Sequence, residues 1–279
     1  MILKIENDRI NPLRKYLSLF RMRFTAGLQY RAAAAAGIIT QFAWGVMSLL
    51  LYKAFYEIDP SSFPMSFQAL ASYMWLQQAF LALFMGWIFE NDIFQMITDG
   101  QIAYELCRPM DLYQMWFCRS MANRLSKAVL RCMPILIFAV LLPKPYGIIL
   151  PAGISAAIWF LITMVLSLLV VAAFEMLIYV TTFFTVSPAG IRMVSISLVE
   201  FFAGAVIPLP FLPDGIRQVV ELLPFASMQN VPLRVYSGDI AGGEILYRAG
   251  LQLFWAAALI CMGKMMTRTA LKRVVVQGG

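Results

Sequence analysis

The sequence predicts an all-α integral membrane protein with six transmembrane helices, and three observations carry that prediction. Hydrophobic residues make up 61% of the 279 and charged residues 13%, with a mean hydropathy of +0.75, whereas soluble domains hold about 25% charged residues. Six apolar segments are each long enough to cross a hydrocarbon layer of about 30 Å. Lys and Arg gather in alternate connections between those segments. The spans leave no room for a separate soluble domain. The net charge of +7 sits on cations that flank apolar segments, where anionic headgroups attract them. Membrane lipids are the partners expected for this charge, and nucleic acid is not.

Residues 1–31 read as a cytoplasmic tail and an interfacial elbow helix. Over 11–31, Leu13, Tyr16, Leu17, Phe20 and Phe24 recur at helical spacing, with Arg14, Lys15, Arg21 and Arg23 mostly off that face. A targeting segment has a similar pattern, but Glu6, Asp8 and the immediate run into a span favour a helix that is kept. The first apolar run starts only at Ala32, so no cleavable signal is expected and the first span directs insertion.

Residues 32–279 read as one six-span transmembrane domain. Its spans are expected at Ala32–Phe55, Phe67–Phe89, about Ala122–Leu142, Ile148 to about Val180, Ile191 to about Leu209, and Tyr247–Met266. Seven Lys and Arg precede the first span, five lie from Arg108 to Arg131, and four from Lys264 to Arg273. The first external connection holds only Glu57 and Asp59, and the second only Lys144. Both termini therefore face the cytoplasm of a plasma-membrane protein.

Two connections stand out. The cytoplasmic one, about 90–111, offers Asn91 or Asp92 as a cap for a helix through Thr98. A turn at Asp99-Gly100 and a second short element with Ile102, Tyr104 and Leu106 follow, stopped at Arg108-Pro109. Its mixture of apolar groups with Asp92, Asp99, Glu105 and Arg108 suits a surface for a soluble partner, or packing on the protein's own inner face. The external one, about 208–246, holds the apolar runs Ile216–Leu223 and Phe225–Val235 broken by Pro213, Pro224 and Pro232. These read as short helices dipping into the outer leaflet, with a plain loop as the alternative.

Catalytic chemistry finds little support. The absence of histidine removes His-dependent zinc sites and the usual base of serine hydrolases. Cys107, Cys118, Cys132 and Cys261 have no paired spacing, so neither disulfides nor a metal site are expected. Asp239 in Tyr236-Ser237-Gly238-Asp239 has no partner acid and reads as a turn. No phosphate-cradling loop is present, so ATP, if it drives this chain, is bound by another subunit.

Charges at membrane depth remain. Arg131 falls about 17 Å below the outer edge of the hydrocarbon layer, near its middle. Arg124 and Lys127 precede it by seven and four residues on the same face, and Glu200 lies at similar depth in the fifth span. Such charges cost at least about 2.5 kcal/mol each, so Arg131 is expected to pair with Glu200. That pair belongs to a translocation path, to a subunit seam or to a structural bridge, unless Arg131 snorkels. Glu175 is a weaker candidate near the inner interface.

Two strings carry a resemblance to a known family. Asp99-Gly100-Gln101-Ile102-Ala103-Tyr104-Glu105-Leu106-Cys107-Arg108-Pro109 follows the second span, and Gly204-Ala205-Val206-Ile207-Pro208-Leu209-Pro210-Phe211-Leu212-Pro213 follows the fifth, with Leu223-Pro224-Phe225 after it. With the six-span plan and the elbow, the chain resembles the ABC-2 type exporter permeases. The resemblance implies a non-catalytic permease that docks on two ATP-binding cassette subunits, which hold the ATP and Mg. It also implies a second six-span permease, a divergent sister more than an identical copy. Asp92, Asp99, Gly100, Tyr104, Glu105, Arg108 and Pro109 would form the coupling helix region. Gly204, Pro208, Pro210, Pro213 and Pro224 would shape the external re-entrant gate. The competing reading is a secondary transporter, which needs paired broken helices and buried carboxylates; a lipid-acting enzyme lacks a mechanism, and a scaffold does not explain the mid-membrane charges.

Overall fold

A computed structural model describes residues 12–151, 153–185 and 187–272. Glu6, Asp8, Lys4, Arg9 and Arg273 lie outside the described residues. Among those described the protein is all helical, with twelve α-helices and no strand. They are α1 (Pro12–Gly27), α2 (Arg31–Ile58), α3 (Phe67–Ala79), α4 (Leu81–Phe84), α5 (Asn91–Thr98), α6 (Ile102–Leu106), α7 (Leu112–Leu141), α8 (Ile154–Thr181), α9 (Pro188–Phe202), α10 (Asp214–Val220), α11 (Asn230–Ser237) and α12 (Gly243–Leu271).

Helix starts follow local chemistry. The Ser66 hydroxyl accepts from the Ala69 N–H and starts α3, and the Asp111 carboxylate accepts from the Gln114 N–H and starts α7. Ser187 caps α9, whose first residue is Pro188, where a missing N–H costs nothing. Gly238, at φ 81°, closes α11 in the left-handed region that a side chain resists.

α8 is the axis of the molecule. α12, α11, α7, α4 and α9 pack on it, while α1 lies along α7, and α2 packs on α3 and α7. A helix so packed is expected to be apolar all round, as α8 is. α2, the stretch Ile154–Phe184 and α12 are each long and apolar enough to cross a membrane. Their outward faces, including Trp44, Leu50 and Phe55 on α2 and Leu253 and Phe254 on α12, are bare apolar surface. Exposed apolar surface of this extent suits lipid rather than water.

The other expected spans depart from simple helices. The second, Phe67–Phe89, is broken: α3 stops at Ala79, α4 adds four residues, and 85–90 is not helical. The third begins ten residues earlier than its expected start at Ala122, because Asp111 caps it, and it carries Arg119, Arg124, Lys127 and Arg131 along its length. The fourth starts at Ile154 rather than Ile148. Residues before it form a turn and an irregular stretch held on α3, where the Ile149 N–H meets the Ser72 hydroxyl and the Trp75 ring N–H meets the Tyr146 carbonyl. The fifth is only the fifteen residues of α9. A helix is observed over Pro12–Gly27, within the segment read as an elbow, and the two apolar runs after α9 hold α10 and α11.

Candidate functional site

The chemistry of the site starts with two arginines on α7. Arg119 and Arg124 are each 1% exposed, and five residues of helix turn them to different neighbours. Arg119 faces the α5–α6 piece. Its guanidinium donates to Glu90 at 2.6 and 3.0 Å, touches Asp92, and lies 3.8 Å from the buried Glu105. Burial lifts the Glu90 carboxyl above its ordinary range, and the pull of Arg119 does not cancel this. Arg124 faces inward. It bonds Glu175 of α8 at 3.0 Å and donates to the carbonyls of Ala82, Met85 and Ile88, at 3.4, 2.9 and 3.1 Å.

Those carbonyls belong to the broken end of the second span. A helix that stops inside the molecule leaves acceptors unmet, and a guanidinium with five donors meets several at once. One tyrosine joins the two arginines. The Tyr179 hydroxyl accepts from the Glu90 N–H at 2.7 Å and donates to Glu175, which also takes the Ser120 hydroxyl. An unbroken polar chain thus runs from Asp92 through Arg119, Glu90, Tyr179 and Glu175 to Arg124.

The residues expected to dock a partner divide into two groups. Tyr104 is 77% exposed and Arg108 half exposed, Asp99 and Pro109 are exposed, and Gly100 is partly so. Glu105 departs from that reading: at 4% exposed it faces inward, between Arg119 and Arg108, and so sets the position of α6 instead of offering a contact. Asp92 is half exposed, tied to Arg119. Capping of α5 also differs, because Glu90 occupies the cap position with its side chain committed to Arg119.

The expected pair of Arg131 with Glu200 does not form. The buried pair is Arg124 with Glu175, because Arg124 faces α8 where Glu175 lies, while Arg131 lies against α2. A Cβ on Gly37 would stand 2.6 Å from the Arg131 guanidinium carbon, so glycine makes that approach possible. Arg131 and Glu200 line one cavity of about 600 Å³ with Gln41, Trp44, Gln78 and Trp87. A second cavity of about 350 Å³, on the side of Tyr30, Asn123 and Lys127, has Arg131 as a shared wall.

The proline-rich segment after α9 is held by side chains on its free carbonyls. Tyr73 and Gln229 both donate to Gly204, Gln77 donates to Ala205, Trp255 to Leu222, and Ser167 and Gln252 to Ser227. Irregular backbone buried away from water needs such partners. Gly204 turns at φ 79°, Pro208 precedes a short 3-10 turn containing the buried Pro210, Pro213 precedes α10, and Pro224 lies in the turns that lead toward α11. Glu221 is clamped by Arg234 at 2.5 Å and by Arg248, and Arg234 also holds Asp239. Along α8, Ser167 on this region and Tyr179 on the first lie about 18 Å apart.

Sequence reasoning missed Glu90, Arg119, Tyr179 and Gln41 as site residues. The signal for the first three was Glu175, the lone acid of an apolar helix, which demands donors from its neighbours. Gln41 carries no charge and gave no such signal. A family model described as ABC-2 family transporter protein matches residues 38–278. No curated protein matches the chain.

Proposed function

The chain belongs to the ABC-2 family of transporter proteins, and from that premise we propose that it is the permease subunit of an ATP-driven exporter. α2, the broken α3–α4 pair, the second half of α7, α8, α9 and α12 serve as six membrane passages. Both termini and the α5–α6 piece face the cytoplasm of a plasma membrane, and α10 and α11 form the external re-entrant gate. Two ATP-binding cassette subunits supply ATP and Mg, and a second, divergent permease completes the path. The chain itself catalyses nothing in this reading.

One observation supports it above the others. The polar chain through Arg119, Tyr179 and Arg124 ties the outward-facing α5–α6 piece to α7, α8 and the broken end of the second span. Force applied to Tyr104 and Arg108 by a closing ATPase would pass through these side-chain contacts to α7, which also carries Arg131 of the 600 Å³ cavity. Glu105 keeps α6 in register for that contact.

The secondary transporter has one observation in its favour, since the break at 80–90 is a second discontinuity beside the one after α9. Purification from the native membrane in mild detergent separates the two. The permease reading expects an ATPase and a second six-span protein to copurify, and Tyr104→Ala or Arg108→Ala to abolish stimulation of that ATPase. A chain that transports alone, with ion-gradient dependence, would sink it.

A further inference from the structure

We propose that the cavity between α2, α3, α7 and α9 binds a zwitterionic amphiphile, a molecule with an apolar chain and a headgroup carrying one negative and one positive charge. This deepens, and rests on, the permease reading.

Three polar groups in the cavity wall have no partner among the described residues. Gln41 is 3% exposed, and neither its amide nitrogen nor its oxygen makes a hydrogen bond. An amide buried in that state has lost its water without gaining a partner. Arg131 makes no hydrogen bond or ion pair among the described residues, and its Nε is buried without an acceptor. Glu200 reaches the same cavity from α9 and forms no ion pair among them. Elsewhere the fold satisfies its buried arginines with care: Arg119 meets Glu90 and Asp92, Arg124 meets Glu175 and three carbonyls, and Arg234 meets Glu221 and Asp239. Among the described residues Gln41 is the side chain left unmet at two buried polar atoms, and it stands where there is also room.

Charge and lining then select the ligand. A neutral molecule leaves both Arg131 and Glu200 unpaired, an anion leaves Glu200, and a cation leaves Arg131. Only a headgroup with both signs pairs the two. A phosphate or carboxylate suits the planar guanidinium and the Gln41 amide. A quaternary or primary ammonium suits Glu200, and the indoles of Trp44 and Trp87 belong to the same lining. Leu51, Met47 and Trp44 continue from the cavity onto the exposed apolar face of α2. An acyl chain can follow that face while the headgroup stays inside. The volume of about 600 Å³ lies within the range of sites that enclose a small molecule.

The test uses the purified full-length chain in an uncharged detergent, with three brominated single-chain probes: an alkyl phosphocholine, an alkyl phosphate and an alkyl trimethylammonium. Binding is read as tryptophan quenching, corrected with the Trp44→Phe/Trp87→Phe double variant. The wild type is expected to bind the phosphocholine about tenfold more tightly than either singly charged probe. Glu200→Gln should erase the preference over the alkyl phosphate, and Arg131→Gln the preference over the ammonium. Gln41→Leu should weaken both phosphate-bearing probes, and leave the ammonium probe and the size-exclusion profile unchanged. If Arg131→Gln aggregates, Arg131→Lys should keep the order of the three probes with weaker phosphocholine binding.

Equal binding of the three probes by the wild type, or a preference that survives both charge substitutions, overturns the proposal and leaves water as the occupant. A chain that copurifies with an ATPase yet shows no charge selectivity refutes this inference and keeps the permease reading. Charge-selective binding by a chain with no ATPase partner does the reverse.

Discussion

Arg124 and Arg131 stand seven residues apart on one face of one helix, about 10 Å along its axis, in opposite circumstances. The first is enclosed by Glu175 and three backbone carbonyls; the second has a glycine cut to fit it, two cavities beside it and no partner among the described residues. A buried guanidinium whose donors are filled by its own fold holds helices together. One left open in a cavity holds stability in reserve for something that arrives. The same side chain therefore serves architecture in one turn and recognition two turns later.

The largest effect that can break this contrast is on stability. Arg124→Met strands the Glu175 carboxylate and unmeets the carbonyls at the broken span, at a cost of about 3–5 kcal/mol. Thermal unfolding in detergent should show a large drop or loss of the folded protein. Arg131→Met should leave the midpoint unchanged or raise it, while abolishing transport. Equal losses from both substitutions would mean that Arg131 is also structural.

A smaller effect tests the hydroxyl between the arginines. Tyr179→Phe removes the acceptor of the Glu90 N–H and one donor to Glu175, leaving buried groups unmet at about 1–3 kcal/mol. Its expected signature is a moderate fall in the unfolding midpoint together with loss of ATPase stimulation in the copurified complex. Cys261→Ala, on an exposed side chain of α12, should alter neither. Stimulation that persists in Tyr179→Phe would show that force reaches the helices by another route.

The filled kind of site recurs after α9, where it responds to acid. Burial pushes the Glu221 carboxyl up, but Arg234 and Arg248 pull it further down, so its folded value lies below the ordinary 4.5. A depressed carboxylate contributes stability above the unfolded value, and that contribution is lost as pH falls through the folded one. Unfolding midpoints of the wild type should therefore decline below about pH 4.5. Glu221→Gln should be less stable at neutral pH and show a shallower decline. A parallel decline in both proteins would remove Glu221 from the acid response.

Much of this was legible in the letters, and the reasons for the rest are specific. Apolar length gave α2, α8 and α12, because a helix that meets lipid must be apolar over its whole span. Turn chemistry gave the two short helices around Asp99-Gly100. Breaks were harder to read. Gly86 is the one weak mark of a stop in Phe80–Glu90, since the break is stabilised by Arg124, more than thirty residues away. The choice of ion pair failed for a related reason: depth alone matched Arg131 to Glu200, whereas pairing depends on which neighbour each helix face meets. Gln41 was invisible because an uncharged amide in an apolar helix becomes notable only once its surroundings offer it no partner.

The smallest effect probes how finely Arg131 is placed. Gly37→Ala puts a methyl 2.6 Å from the guanidinium carbon, which must move by about an ångström, and the far end of a long side chain does so readily. Alanine also favours the helix by up to about 1 kcal/mol over glycine. The variant should therefore be as stable as the wild type or slightly more so. If Arg131 serves the cavity, its displaced guanidinium should no longer sit where it meets a headgroup, so binding of the phosphocholine probe should weaken several-fold at unchanged stability. If binding and stability both stay unchanged, the guanidinium finds its ligand from more than one position and the fit at Gly37 is incidental. A loss of stability instead would show that the Arg131–Gly37 contact holds α2 to α7, which would make Arg131 structural like Arg124 and collapse the distinction between them.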